Sequence, residues 1–152
     1  MDDNRIRSRS PFLRSPRETL GGYVILPRLI DKIRLHAQGK LPAEYIANLL
    51  KPGLTCDGRL LTFTGLDAEK LRHAILAAKT DGEILAWVEQ HAKPHTETEK
   101  RQWIDEIEAY RPNAEWAKWR REVYKDIAAK IDPATLNLFD LIDMDEGRIA
   151  MG

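Results

Sequence analysis

Hydrophobic positions recur with helical spacing through most of this chain, and strand-like alternation is scarce. At helical pitch, Leu26, Leu29, Ile30, Ile33 and Ala37 fall within an arc of about 100°, the width of a core-facing stripe. Pro27 suits the first turn of that helix, because proline lacks an amide hydrogen that a helix start leaves unpaired, and Gly39 suits its end. Asp67 predicts a capped helix to about Ala78, with Leu71, Ala74, Ile75 and Ala78 on one face. Thr80–Glu83 and Thr96–Glu99 have the Thr-x-x-Glu pattern of a capping box. They open helices carrying Ile84, Trp87, Val88 and His91, then Trp103, Ile104, Ile107 and Tyr110. A long helix from roughly Ala114 to Ile131 sets Trp116, Trp119, Val123, Ile127 and Ile131 in an arc of about 120° and forms an antiparallel hairpin with its predecessor. Asp132 and Pro133 start a last short helix through Leu136, Phe139 and Ile142.

Elsewhere the pattern is weaker. Ser15–Glu18 reads as another capping box, predicting a short helix that stops at Gly21-Gly22. Leu41–Leu50 reads as a short helical stretch. Residues 54–66 read as helix or irregular structure, since the strand-prone run Leu60–Thr64 has no partner elsewhere. The expected fold is therefore all-α: a compact single-domain bundle of about six to eight short and medium helices, ending in a helical hairpin and a short C-terminal helix. Residues 15–143 would form this domain. Residues 1–14, with Arg5, Arg7, Arg9 and Arg14, would be a basic mobile arm, and residues 144–152 an acidic, flexible tail.

Composition narrows the classes of function. A chain of 152 residues, 43% hydrophobic, is enough for one core. Its 24 basic residues balance 24 acidic ones, so no general field draws it to nucleic acid, and only the arginine arm speaks for such a role. The single cysteine, Cys56, allows neither an internal disulfide nor a zinc ribbon, which suits the reducing cytoplasm. The apolar run Tyr23–Ile30 is interrupted by Pro27 and Arg28 and falls far short of the ~20 residues a membrane span needs. The N-terminal residues also lack the apolar segment of a secretory signal.

Several blocks occur in order: Ser15–Glu18, Gly21-Gly22, Leu26–Lys32, Asp57–Leu61, Gly65–Asp67 and Ile84–Val88. Together they resemble a bacterial family described only as a domain of unknown function. The resemblance spans most of the chain and implies a soluble bacterial protein; it carries over no activity, cofactor or catalytic residue.

Candidate chemistry centres on the start of the Leu26–Ala37 helix. Arg28, Asp31 and Lys32 lie opposite its apolar arc, where Leu35 is out of place on a solvated face, and Gly21-Gly22 lies just before them. If a second element covers this side, Arg28 would hold a carboxylate or phosphate with Asp31 fixing its geometry. The ligand-site candidates are therefore Gly21, Gly22, Arg28, Asp31, Lys32 and His36. The alternative, in which these are ordinary paired surface charges, needs no ligand. His91 is expected on an inner helix face as a structural imidazole, His73 on an exposed one. The spacing of His91 and His95 would serve a metal only on a continuous helix, which Pro94 interrupts, so neither metal nor cofactor is expected. Asp57 beside Cys56 would raise the thiol pKa rather than lower it. An exposed Trp119 would mark a partner surface. The reading that results is a binding or interaction module for a small anionic ligand or a protein partner, including a second copy of itself. The alternative is a small acid–base enzyme in which Arg28 binds an anionic substrate and Asp31 acts with His36 or His91.

Overall fold

The computed structural model describes residues 13–150. The expectations for residues 1–12 of the arm and for the last two residues of the tail lie outside the described residues. Among those described, the chain is mostly helical, with nine α-helices, two of them only four residues long, and one two-stranded hairpin. The all-α expectation is met. The residues divide into two compact units, 13–101 and 102–150.

The first unit begins with a turn and a hairpin in place of the expected short helix. Ser15–Glu18 is not a helix start: the Ser15 hydroxyl accepts the Arg17 amide in a turn. The chain then forms β1 (Thr19–Leu20) and β2 (Tyr23–Val24), antiparallel, with Leu20 opposite Tyr23. Gly21 and Gly22, at φ 59° and 84°, form the two-residue connection, and a tight hairpin of this kind needs positive φ at both positions. Flanking Thr, Leu, Tyr and Val supply the extended propensity that a helix here lacks.

Helix α1 (Leu26–Ala37) follows at once, with Pro27 in its first turn, and ends before Gly39, as the sequence predicts. Its entry is strained. Ile25 precedes it at φ 75°, a conformation β-branched residues rarely adopt, and is held there by complete burial and by its amide's bond to Pro16 O. Leu26, Leu29, Ile30 and Ile33 are buried, and α1 packs against β1 and α4.

A four-residue helix α2 (Ala43–Ile46) leads to α3 (Cys56–Thr64), capped by Thr55 and ended at Gly65, φ 71°. Gly58 in α3 lies against the backbone of Gly53 and Lys51. Helix α4 (Ala68–Ala77) carries its Asp67 cap, and α5 (Asp81–His91) its Thr80 cap. Leu60, Leu71, Ile75, Ile84 and Val88 from these helices are buried. Helix α6 (Glu97–Ala109) opens with a complete capping box: Thr96 accepts the Glu99 amide, and Glu99 accepts the Thr96 amide.

In the second unit the predicted helix Ala114–Ile131 is broken. Helix α7 (Ala114–Val123), capped by Asn113, stops at Tyr124, whose ψ of 59° is not helical, and α8 (Lys125–Ala128) resumes for one turn. The break turns a different face inward. Ala117, Arg120 and Ile127 are buried, with Arg120 Nη1 donating to Pro133 O and Leu136 O, each at 3.1 Å. Those carbonyls flank a 3₁₀ turn (Pro133–Thr135) that packs on α7. Helix α9 (Leu138–Asp145) buries Phe139 and Leu141. Asp143 and Glu146, at the expected acidic tail, are both buried and hold Arg148 Nη1 at 2.9 and 2.6 Å.

Candidate functional site

The charged side of α1 is covered. Arg28 is 4% and Lys32 5% exposed, so these are not ordinary surface charges. What covers them is the protein itself, beginning with Arg14. Its backbone amide and Nε donate to Asp31 Oδ2 at 2.8 and 3.1 Å, its Nη2 donates to Asp31 Oδ1 at 3.0 Å, and its Nη1 reaches Asp81 Oδ2 at 2.6 Å. This fork-on-carboxylate geometry is the strongest form of a side-chain ion pair. The hydrogen bonds to Asp31, then those to Asp81, push the Arg14 guanidinium still further above its usual pKa. Arg28 Nη1 donates to Arg14 O at 3.1 Å, and its guanidinium lies 5.7 Å from the centroid of the Tyr45 ring, within cation–π range.

One turn further, Lys32 Nζ donates to both oxygens of Asp57 at 2.8 Å, and Asp57 Oδ2 also accepts the Leu50 amide at 2.9 Å. This pair is shut away from water, with Asp57 1% exposed. A buried carboxylate needs its charge compensated and its lone pairs used, and here both conditions hold. Cys56 is buried beside it. Burial pushes its thiol up to about 11, outweighing the opposing pull of Arg28 and Lys32, so the thiol stays protonated near neutrality.

The candidate residues therefore occupy four separate settings. Arg28 and Asp31 share Arg14 rather than a ligand, and Lys32 is committed to Asp57. Gly21 and Gly22 meet Lys100, whose Nζ donates to Gly21 O at 2.8 Å and stands 4.2 Å from the Tyr23 ring centroid. His36 Nδ1 faces Arg72 Nη1 at 3.4 Å. Chemically, the α1 face is a latch: both oxygens of Asp31 and of Asp57 are turned to protein donors, and the donors come from the N-terminal segment, α1 and the Leu50 backbone. Sequence reasoning missed Arg14 because it was counted with the arm. The one available signal was Leu13 beside it, an apolar residue that proves 2% exposed.

The remaining imidazoles lie outside the latch. His73 is exposed as expected, but His91 is exposed rather than inward. Its ring stacks on Trp87 at 4.3 Å, and its Nδ1 is 2.8 Å from Trp87 O. His95 stacks on Phe63 at 3.8 Å, and α5 has already ended at His91, so the two histidines do not share a helix. Among the described residues no group of three or more His, Cys, Asp or Glu side chains is placed to hold a metal. No helix among them is long and apolar enough to cross a membrane.

Trp119 is 44% exposed, in the position the sequence proposed for it, and Trp116, expected in the core, is 49% exposed. The two rings meet edge to face at 5.7 Å, and Trp119 meets Tyr124 in the same way at 6.3 Å. Val123, one turn on from Trp119, is 52% exposed. Three large apolar side chains at positions 116, 119 and 123 thus share the outer face of α7.

No curated protein matches the chain. A family model does: the one described as Domain of unknown function (DUF5069) covers residues 10–148, and the chain belongs to that family.

Proposed function

We propose that this protein is an interaction module whose docking surface is the outer face of α7. The observation that carries the reading is the pair of half-exposed tryptophans, Trp116 and Trp119, in edge-to-face contact on a well-capped helix with exposed Val123 beside them. Scattered single apolar residues on a surface are ordinary, whereas adjacent exposed aromatics are concentrated where proteins dock. The α1 face, by contrast, is occupied by its own partners, which weighs against an anionic ligand or substrate at Arg28.

The occupant we favour is a second copy of the chain. A two-fold axis perpendicular to α7 sets two copies of the helix antiparallel, and each contributes the same tryptophan patch. The helix dipoles suit that arrangement. Antiparallel alignment brings the N-terminal end of one α7, with Glu115 in its first turn, towards the C-terminal end of the other, so unlike dipole ends meet. Size-exclusion elution of the wild type against Trp116→Ala/Trp119→Ala tests this. The variant is expected to elute later, as a single chain, with a melting temperature that does not vary with concentration. Co-elution of the two proteins across all loading concentrations would remove the basis for the proposal.

A further inference from the structure

The surface of the first unit carries a second feature, independent of α7. Helices α4 and α5 are joined by three residues and form an antiparallel hairpin, and along its outer side runs an open groove of about 630 Å³. Helix α4 contributes Lys70, His73, Ala74 and Ala77, a stripe at spacings of three and four. Helix α5 contributes Glu83, Trp87 and His91, one turn apart. The antiparallel run places Glu83 at the loop end and Lys70 and His91 towards the far end, with His73 and Trp87 between them.

The polar groups are not distributed evenly in what they have left to offer. Glu83 Oε1 already accepts the Lys79 amide at 2.7 Å, so the acidic end serves the helix cap. His91 is held by stacking on Trp87, and because Trp87 O can only accept, the His91 Nδ1 carries the proton and donates to it. That leaves His91 Nε2, or its N–H when the ring is protonated, directed away from its own backbone. Among the described residues, neither the Lys70 ammonium nor the His73 ring has a protein partner. Cationic or protonatable donors at one end therefore face a groove whose middle is an indole opposite two alanines.

We propose that this groove is a binding site for a small anionic aromatic molecule. The carboxylate or other acid group pairs with Lys70 and the imidazoles of His73 and His91, and the flat ring lies between Trp87 and the Ala74–Ala77 stripe, where the small side chains leave room for it. A point-charge ammonium suits a single compact acid group, and the imidazoles add to it as donors, His91 through Nε2 in the doubly protonated ring because its Nδ1 proton is already given to Trp87 O. Trp87 and the alanines supply the apolar contact that fixes orientation.

The test uses the full chain, with 1-naphthoate as the anionic probe and 1-naphthalenemethanol as its neutral counterpart, followed by amide chemical shifts. Naphthoate is expected to move amides clustered within residues 70–91 and to saturate. Affinity should fall about tenfold or more for the alcohol, for Lys70→Ala and for His91→Ala, the loss of roughly one charge-assisted contact. Shifts centred on α7, failure to saturate in the low millimolar range, or equal affinity for the acid and the alcohol would each overturn the assignment. Because Lys70 and His91 lie outside the α7 face, these variants should elute as the wild type does, which separates failure of this site from failure of the docking surface.

Discussion

At the level of single residues, the most consequential is Lys32, because among the described residues it is the one cation paired with the buried Asp57. Removing one partner of a buried pair costs about 3–5 kcal/mol, whereas removing both and filling the space is often nearly neutral. Lys32→Met is therefore expected to lower unfolding stability in urea by roughly that amount. Lys32→Met/Asp57→Leu should recover much of the loss, though the Leu50 amide also loses its acceptor. A double variant no more stable than the single one would mean that the pair is not what holds this region. Cys56 gives a second prediction, with its sign fixed by burial. Its pKa is raised from about 9 in the unfolded chain to about 11 in the folded one, so folding keeps the thiol protonated. That contribution is complete below the unfolded value and is lost as pH rises towards the folded one. Between pH ~9 and ~11 the wild type should lose roughly 2–3 kcal/mol more than Cys56→Ala, measured by chemical denaturation at each pH. In the native state near pH 8 the thiol should react with a disulfide reagent far more slowly than in urea; equal rates would show that it is accessible.

At the level of elements, two helical glycines make contrasting predictions. Gly-to-Ala within a helix ordinarily stabilises by up to ~1 kcal/mol. At Gly82 the added methyl would meet only Thr80 Oγ1 at 3.8 Å, so Gly82→Ala should stabilise by a few tenths to ~1 kcal/mol. At Gly58 the methyl would run into the backbone of Gly53 and Lys51, which cannot rotate aside. Gly58→Ala should therefore destabilise by ~1–3 kcal/mol despite the gain in propensity, and thermal melts of the two variants should move in opposite directions. The elements legible in the sequence were those with a stop or start of their own. Pro27 and Gly39 bracket α1, and Asp67, Thr80 and Thr96 cap α4, α5 and α6 where expected. Ser15–Glu18 carried the same letters without the same outcome, since the two-residue Gly21–Gly22 turn and the strand-prone residues on either side of it favour a hairpin over a helix. The stripe in 114–131 was real as a pattern but its face was misjudged. Arg120 is buried by its bonds to Pro133 O and Leu136 O, and a single-residue break at Tyr124 separates the two halves of the stripe. Those partners come from tertiary packing, which periodicity cannot register.

At the level of the whole molecule, the candidate site residues were visible in the sequence as a dense group, but their use was not. Arg28, Asp31 and Lys32 looked like a binding constellation because Leu35 on the same side, and Gly21-Gly22 just before them, allowed a second element to cover that face. Their partners, Arg14 and Asp57, lie 17 positions before Asp31 and 25 after Lys32. The charge that looked available on α1 is therefore used to fasten the chain to itself, while α7 leaves Trp116, Trp119 and Val123 exposed. The latch and the docking face respond differently to substitution: changes at Lys32 or Asp57 should act on stability at every concentration, and changes at Trp116 or Trp119 on association and the concentration-dependent part of stability. The central claim, that the α7 face joins two copies, is tested most directly by sedimentation equilibrium of the wild-type protein over a wide concentration range. The weight-average mass is expected to rise from that of one chain, 17.4 kDa, towards twice that value as concentration increases. A mass that stays at 17.4 kDa throughout would contradict it.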